Sequence, residues 1–207
     1  MVDTQVRPSD VTKFPIIDAM LAVPREDFVP EDEKEAAYIG ENLKLTEDRV
    51  ILEPRTFAKL LDILNIQPNE VVLDLGAGLG YSTAILAHIA EFVVGVESYT
   101  NLASDAQSNL SGKGVDNAAI LEAPLTEGAE KSGPYDVVIL EGAVEIVPEA
   151  ILSQIKEGGR IASLFVEDAL GVARIGYKID GRINWHDSFH ASAPILSGFE
   201  KNDDFVL

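Results

Sequence analysis

The hydrophobic rhythm of the chain changes at Pro54. Before it, Val11, Phe14, Ile17, Met20 and Leu21 recur at helical spacing, which predicts a helix whose first turn accommodates Pro15. PREDFVPEDEKEAAY then reads as a turn followed by a short helix opening at Pro30, with acids in its first turn. After Pro54, helical and strand patterns alternate. Helices are predicted over 55–66, 81–90, 101–110 and 148–155. Short apolar strands are predicted at 71–75, 92–96, 118–121, 137–140 and 160–166, with Gly158-Gly159 turning the chain before the last of these. Strands apolar on both faces imply a sheet covered on both sides. Beyond Gly171 the helices stop: VARIGYKIDGRINW reads as a hairpin turning at Asp180-Gly181, and a final strand is expected near 189–196.

This order predicts an α/β fold with a doubly wound, mostly parallel, Rossmann-like sheet, an antiparallel C-terminal edge and an N-terminal helical segment. At 207 residues one domain over 1–207 is expected: a helical cap at 1–53, an α/β core at 54–170 and a β arm at 171–207.

Composition narrows the function. With 16 Lys+Arg against 35 Asp+Glu, the net charge of −19 repels phosphate backbones, so nucleic acid is not an expected partner. There is no apolar run of bilayer length and no apolar leader, so no membrane association is expected. The chain has no cysteine, which removes disulfides and thiolate chemistry, and a cytoplasmic location is the expectation.

The stretch VVLDLGAGLGYSTAILA joins the first predicted parallel strand to a helix, and Gly76, Gly78 and Gly80 stand at every second position. In such sheets ligands bind beyond the carboxyl ends of the strands, where the winding reverses. Glycines there permit a sharp bend and let a ligand approach the main chain. Asp74 is an acid at the end of a buried strand, costly unless donors satisfy it. Glu97 ends the second strand about 20 residues on, where a carboxylate accepts from ribose hydroxyls. Together they point to a nucleoside ligand. A dinucleotide fingerprint would want a small residue where Tyr81 stands, and the third glycine comes one residue early. The pattern is instead (D/E)-x-G-x-G-x-G, the first motif of class I S-adenosylmethionine-dependent methyltransferases, which implies a seven-stranded sheet. NAD is the lesser alternative.

Further stretches carry a resemblance to one family. MVDTQVRPSDVT, MLAVPREDFVPEDEKEAAY, the glycine loop and PYDVVILEGAVEIVPEAILSQIKEGGRIA, with its Gly-Gly-Arg turn, are similar to segments of the protein-L-isoaspartate O-methyltransferases. The resemblance implies methyl transfer from S-adenosylmethionine to a carboxylate of a protein or peptide, as in protein repair. It implies a cofactor site of Asp74, Gly76, Ala77, Gly78, Gly80, Glu97, Glu122 and Glu141, and an acceptor lip of Val50, Ile51, Leu52 and Glu53. The departures fall at the chemistry. The family's Gly-x-x-Ile-Ser-x-Pro is Asp48 to Pro54 here, with Leu52 for the serine that lines the acceptor site and Glu53 beside it. Ala123-Pro124-Leu125 replaces a Gly-Asp-Gly, leaving Glu122 as the nearest acid for the adenine, and Glu141 replaces a threonine. An ionised carboxylate acceptor needs no base, only alignment with the methyl in a desolvated pocket.

Two other readings stand beside this. A small-molecule O-methyltransferase acting on a hydroxyl would need a base, for which Glu53 and Glu141 are the candidates, or a divalent metal held by Glu141, Glu167 and Asp168. A protein that binds the cofactor without transferring methyl is the third. His186 and His190, four apart in WHDSFH, read as edge-strand residues rather than a zinc site, since no His-Glu-x-x-His accompanies them.

Overall fold

The computed structural model describes residues 1–167 and 170–201, with the backbone alone at Glu167 and Leu170. Among these, seven strands form one sheet: β3 (Val71–Leu75), β4 (Phe92–Glu97), β5 (Ala118–Glu122), β6 (Tyr135–Val144), β7 (Ile155–Glu167), β8 (Leu170–Ile179) and β9 (Arg182–His190). They lie in the order β5-β4-β3-β6-β7-β8-β9. The first five positions are parallel, and β8 and β9 add antiparallel. The chain therefore winds outward from β3 to β5, then restarts at β6 on the other side of β3. That restart is the topological switch point, and it opens the carboxyl ends of β3, β4 and β6 to a ligand.

Alternate residues of β3 serve opposite layers: Val72 joins the core under the helices α1 (Phe14–Ala22), α2 (Pro54–Leu64) and α3 (Tyr81–Ile89), while Leu73 and Leu75 join the other core. Helix α2 buries Phe57, Leu60, Leu61 and Leu64 along one stripe. Each such side chain contributes about 1.5–3 kcal/mol by leaving water. Its C-cap Asn65 is left-handed, with φ of 47°, which ends the helix before Pro68. Helix α4 (Thr100–Gly112) packs on β5, and Gly80 lets it approach: a Cβ there would stand 3.3 Å from the Ala106 carbonyl. The hairpin between β8 and β9 turns at Asp180 and Gly181, both at positive φ, as a two-residue turn with the twist of a hairpin requires.

Several expectations are corrected. The acidic segment after Pro24 forms 3-10 turns at Arg25–Phe28 and Glu31–Ala36 rather than an α-helix. The cap also contains a small antiparallel pair, β1 (Leu43–Lys44) with β2 (Val50–Ile51). The helix expected at 148–155 shrinks to α5 (Glu149–Leu152), because Ile155 already pairs with Tyr135 in the sheet. Gly158-Gly159 is accordingly a bulge within β7, between the pairs Tyr135–Ile155 and Val137–Arg160, and not a turn before it. The last strand is Arg182–His190, earlier than 189–196.

After β9 the chain forms a strap rather than a strand. Ala143 donates to the Pro194 carbonyl and accepts from Leu196 N–H, each at 2.9 Å, and Phe199 O accepts from Glu145 and Ile146. Leu196 is fully buried, and a Cβ on Gly142 would come within 2.6 Å of it. The sheet thus carries a glycine where the strap presses a leucine onto it. Leu196→Ala is expected to cost about 2–4 kcal/mol in urea unfolding. A loss under about 1 kcal/mol would show that the strap does not contribute to the core.

Candidate functional site

Each of the three strands at the switch point carries a carboxylate toward its carboxyl end. Asp74 of β3 is wholly buried; its Oδ2 accepts from Ser82 Oγ at 2.8 Å and Thr83 Oγ1 at 2.6 Å, both on the first turn of α3. Its Oδ1 has no partner. Glu141 is 4% exposed and its Oε1 also lacks a partner. It lies inside β6 rather than at its end, because a bulge between Ile139 and Ala143 carries the strand on to Val144. That bulge aims the side chain at the glycine loop: a Cβ on Gly76 would be 3.7 Å from that of Glu141.

Glu97 closes β4 with a full set of donors. Its Oε1 accepts from Ser98 N at 2.8 Å and Tyr99 N at 3.0 Å, and its Oε2 from Gly78 N at 3.0 Å. Arg49 Nε reaches both oxygens, at 3.1 and 3.2 Å. The glycine loop is less bare than its sequence suggests. Gly76 and Ala77 donate to the Val96 carbonyl at 2.9 and 3.2 Å, and Gly78 donates to Glu97. Gly76, Gly78 and Gly80 all hold positive φ, so the bend is as expected, but its first three N–H groups are already engaged.

Val50, Ile51 and Leu52 line a closed space of about 10 Å³ with Gly76, Ala77, Tyr81 and Glu141, room for one water. Glu53 is elsewhere: it is the N-cap residue of α2, and its carboxylate accepts from Thr56 Oγ1 at 2.5 Å. The expected lip therefore presents only hydrocarbon, and a base at Glu53 is not available to the crevice. Glu122 ends β5 on the surface, accepting from Thr100 Oγ1 at 2.6 Å. His186 and His190 are exposed on β9. Asp168 lies outside the described residues, as does the side chain of Glu167, and the described residues contain no metal-binding cluster.

Sequence reasoning missed three participants. Arg25 is fully buried, donating from Nε to Ala37 O at 2.8 Å and from Nη2 to Leu52 O at 2.8 Å, with its guanidinium 4.9 Å from the Tyr81 ring centre and Nη1 unpartnered. Arg49 is 1% exposed. Leu45 lies over the loop, 2.9 Å from where a Gly78 Cβ would be. Only Arg25 had a signal, the Val-Pro-Arg stretch.

Comparison with known proteins fits this arrangement. The sequence profile of the protein-L-isoaspartate(D-aspartate) O-methyltransferase (PCMT) family matches residues 3–171. The chain belongs to this family. It is 35% identical to the protein-L-isoaspartate O-methyltransferase of Vibrio campbellii, covering 74% of each chain. It is 34% identical to that of Vibrio parahaemolyticus, covering 88% of each. Among solved structures, a protein-L-isoaspartate O-methyltransferase superposes with a TM-score of 0.83 at 23% identity, over 93% of this chain and 63% of that one. A Plasmodium falciparum protein described under the same family name, solved with S-adenosyl-L-homocysteine, gives 0.76 at 20% identity, over 92% and 94%. Both structures share the fold of the seven-stranded sheet described above. The family uses S-adenosylmethionine.

The residues of this chain fit that cofactor in chemistry. Two buried carboxylate oxygens without partners suit a ligand that carries an ammonium and a sulfonium. Glu97 is a buried acid that takes Arg49 Nε on both oxygens, so it accepts from side-chain donors as well as from main chain. Side chains border the loop: Leu45 beside Gly78, Leu196 beside Gly76 and Arg49 on Glu97.

Burial pushes the Asp74 carboxyl up to about 6, against the bonds from Thr83 and Ser82 and with help from the Glu97 charge. Burial raises Glu141 well above the usual carboxylate range, the charge of Asp74 adds to this, and Arg25 opposes it. A folded chain that holds a proton the unfolded chain has released is stabilised below the unfolded pKa and loses that advantage as pH rises through the folded one. For Asp74 the window runs from about pH 4 to above 6, and the shift from 3.8 corresponds to about 3 kcal/mol. Unfolding free energy is therefore expected to fall across this window, with Asp74→Asn flattening it by about that amount. Parallel slopes for the two proteins would refute the buried protonated Asp74.

Proposed function

We propose that this chain is an S-adenosylmethionine-dependent O-methyltransferase acting on a carboxylate of a protein or peptide, with an isoaspartyl side chain as the acceptor class. One observation carries the reading: Asp74 Oδ1 and Glu141 Oε1, both buried and both unpartnered, flank the bend at Gly76 in a chain of this family. Unsatisfied buried carboxylates are costly, and a cationic ligand is the partner they lack.

When bound, S-adenosylmethionine supplies an electrophilic methyl on a sulfonium whose charge vanishes as the new bond forms. The chain's own groups do the rest. In this reading Asp74 and Glu141 hold the amino acid end, Glu97 accepts from the ribose, Ala77, Gly78 and Gly80 shape the loop, and Glu122 borders the adenine. Val50, Ile51 and Leu52 exclude water from the acceptor side, where alignment rather than proton transfer sets the rate. Glu53 is turned onto Thr56 and does not line the recess beside Glu141. A cytoplasmic setting, where such repair meets the cell's own ageing proteins, belongs to the same proposal.

Leu52 in place of a hydroxyl residue, with Arg49 on Glu97, favours a second reading in which the fold is kept without transfer. A methyl-labelled cofactor incubated with an isoaspartyl peptide and its aspartyl twin separates the two. Base-labile label in the isoaspartyl peptide alone is expected, and Asp74→Ala should reduce it by at least about tenfold, the loss of one charge-assisted contact. Equal background on both peptides would retire the acceptor class. Background on a cell extract as well would leave the second reading.

A further inference from the structure

Arg49 is a charged side chain buried to 1% exposure, and its bonds tie the segment before β2 to the end of β4. Nε donates to both oxygens of Glu97 at the β4 end, at 3.1 and 3.2 Å. Nη1 donates to Asp48 Oδ2 at 2.8 Å and to the Asp48 carbonyl at 3.2 Å. Nη2 donates to Ser98 Oγ at 2.8 Å, and the guanidinium lies 5.2 Å from the Tyr99 ring centre. Asp48 in turn accepts from Tyr99 OH at 2.9 Å, from Thr46 Oγ1 at 2.9 Å and from Ser197 N–H of the strap at 3.2 Å.

A carboxylate offers about four acceptor positions. The main-chain N–H groups of Gly78, Ser98 and Tyr99 take three on Glu97, and Arg49 takes what remains on both oxygens. The three main-chain donors are fixed by the sheet and the loop; Arg49 is the one partner that rotation about side-chain bonds removes. A ligand hydroxyl therefore gains that remaining position on Glu97 only in exchange for Arg49.

We infer that Arg49 is an internal competitor for the ribose seat on Glu97, so that this residue sets the affinity of the chain for adenosyl ligands. The inference rests on the function proposed above. Exchange costs the ligand the bonds of Arg49 to Glu97, while Asp48 keeps the released guanidinium beside the lip at Val50.

The test is titration of the full-length protein with S-adenosylhomocysteine by calorimetry, in wild type, Arg49→Gln, Arg49→Lys and the double variant R49Q/E97Q. Arg49→Gln is expected to bind at least about tenfold more tightly than wild type, Arg49→Lys to fall between, and the double variant to lose the gain. Hydrogen exchange on wild type, which needs no variant to fold, should show ligand protecting Gly78 while residues 46–49 exchange faster. Equal affinity in wild type and Arg49→Gln, or protection of 46–49 by ligand, overturns the competition while leaving the cofactor reading in place. If no protein binds at millimolar ligand, both fail together.

Discussion

The Glu97 carboxylate is the point on which the ligand end of this sheet depends. It gathers main-chain N–H groups from the glycine loop and from the corner after β4, and a guanidinium from the cap, with no exposure to solvent of its own. Three segments distant in sequence thus share one anion. Removing one partner of a buried ion pair typically costs about 3–5 kcal/mol, because the other charge stays behind without water. Glu97 is better insured than most, since its main-chain donors remain when Arg49 leaves. That asymmetry makes an exchange of cations or hydroxyls at this acid feasible without unfolding the corner.

The two neighbouring acids behave differently because their donors differ. Asp74 receives two hydroxyls on one oxygen and nothing on the other; Glu141 has burial, a nearby acid and Arg25 as its main influences. Both therefore favour the protonated form, whereas Asp48, just ahead of β2, is held low. Burial alone would raise Asp48, but bonds from Ser197, Tyr99 and Thr46, with the Arg49 charge, outweigh it. The site is a graded set of carboxyls within an acidic chain.

Much of this was legible in the sequence. Strand-helix alternation after Pro54, glycines behind Asp74, and Asp180-Gly181 between two β runs each obey a local rule that the fold keeps. The losses have physical causes. A four-residue α5 and the bulge at Gly158-Gly159 arise because β6 offers pairing positions to Ile155 that no local pattern encodes. Glu53 looked like an acid in the acceptor lip, yet the hydroxyl three residues on claims it as soon as α2 starts. Arg49 was passed over because a lone arginine between Asp48 and Val50 has no period; its partner stands 48 residues away.

The strap adds a final constraint, on which residues can change together. Leu196 presses on Gly142 and approaches Gly76, so the sheet's glycine and the strap's leucine form one packed unit. Any side chain at Gly142 would push the strap off, and with it the Ser197 N–H that Asp48 accepts. Asp48 would then hold Arg49 with fewer competing donors, and the pair would be drawn toward water. Packing at β6 and charge at β4 are thereby coupled through one short run of chain. The acidity of Asp48 depends on a leucine packed against β6.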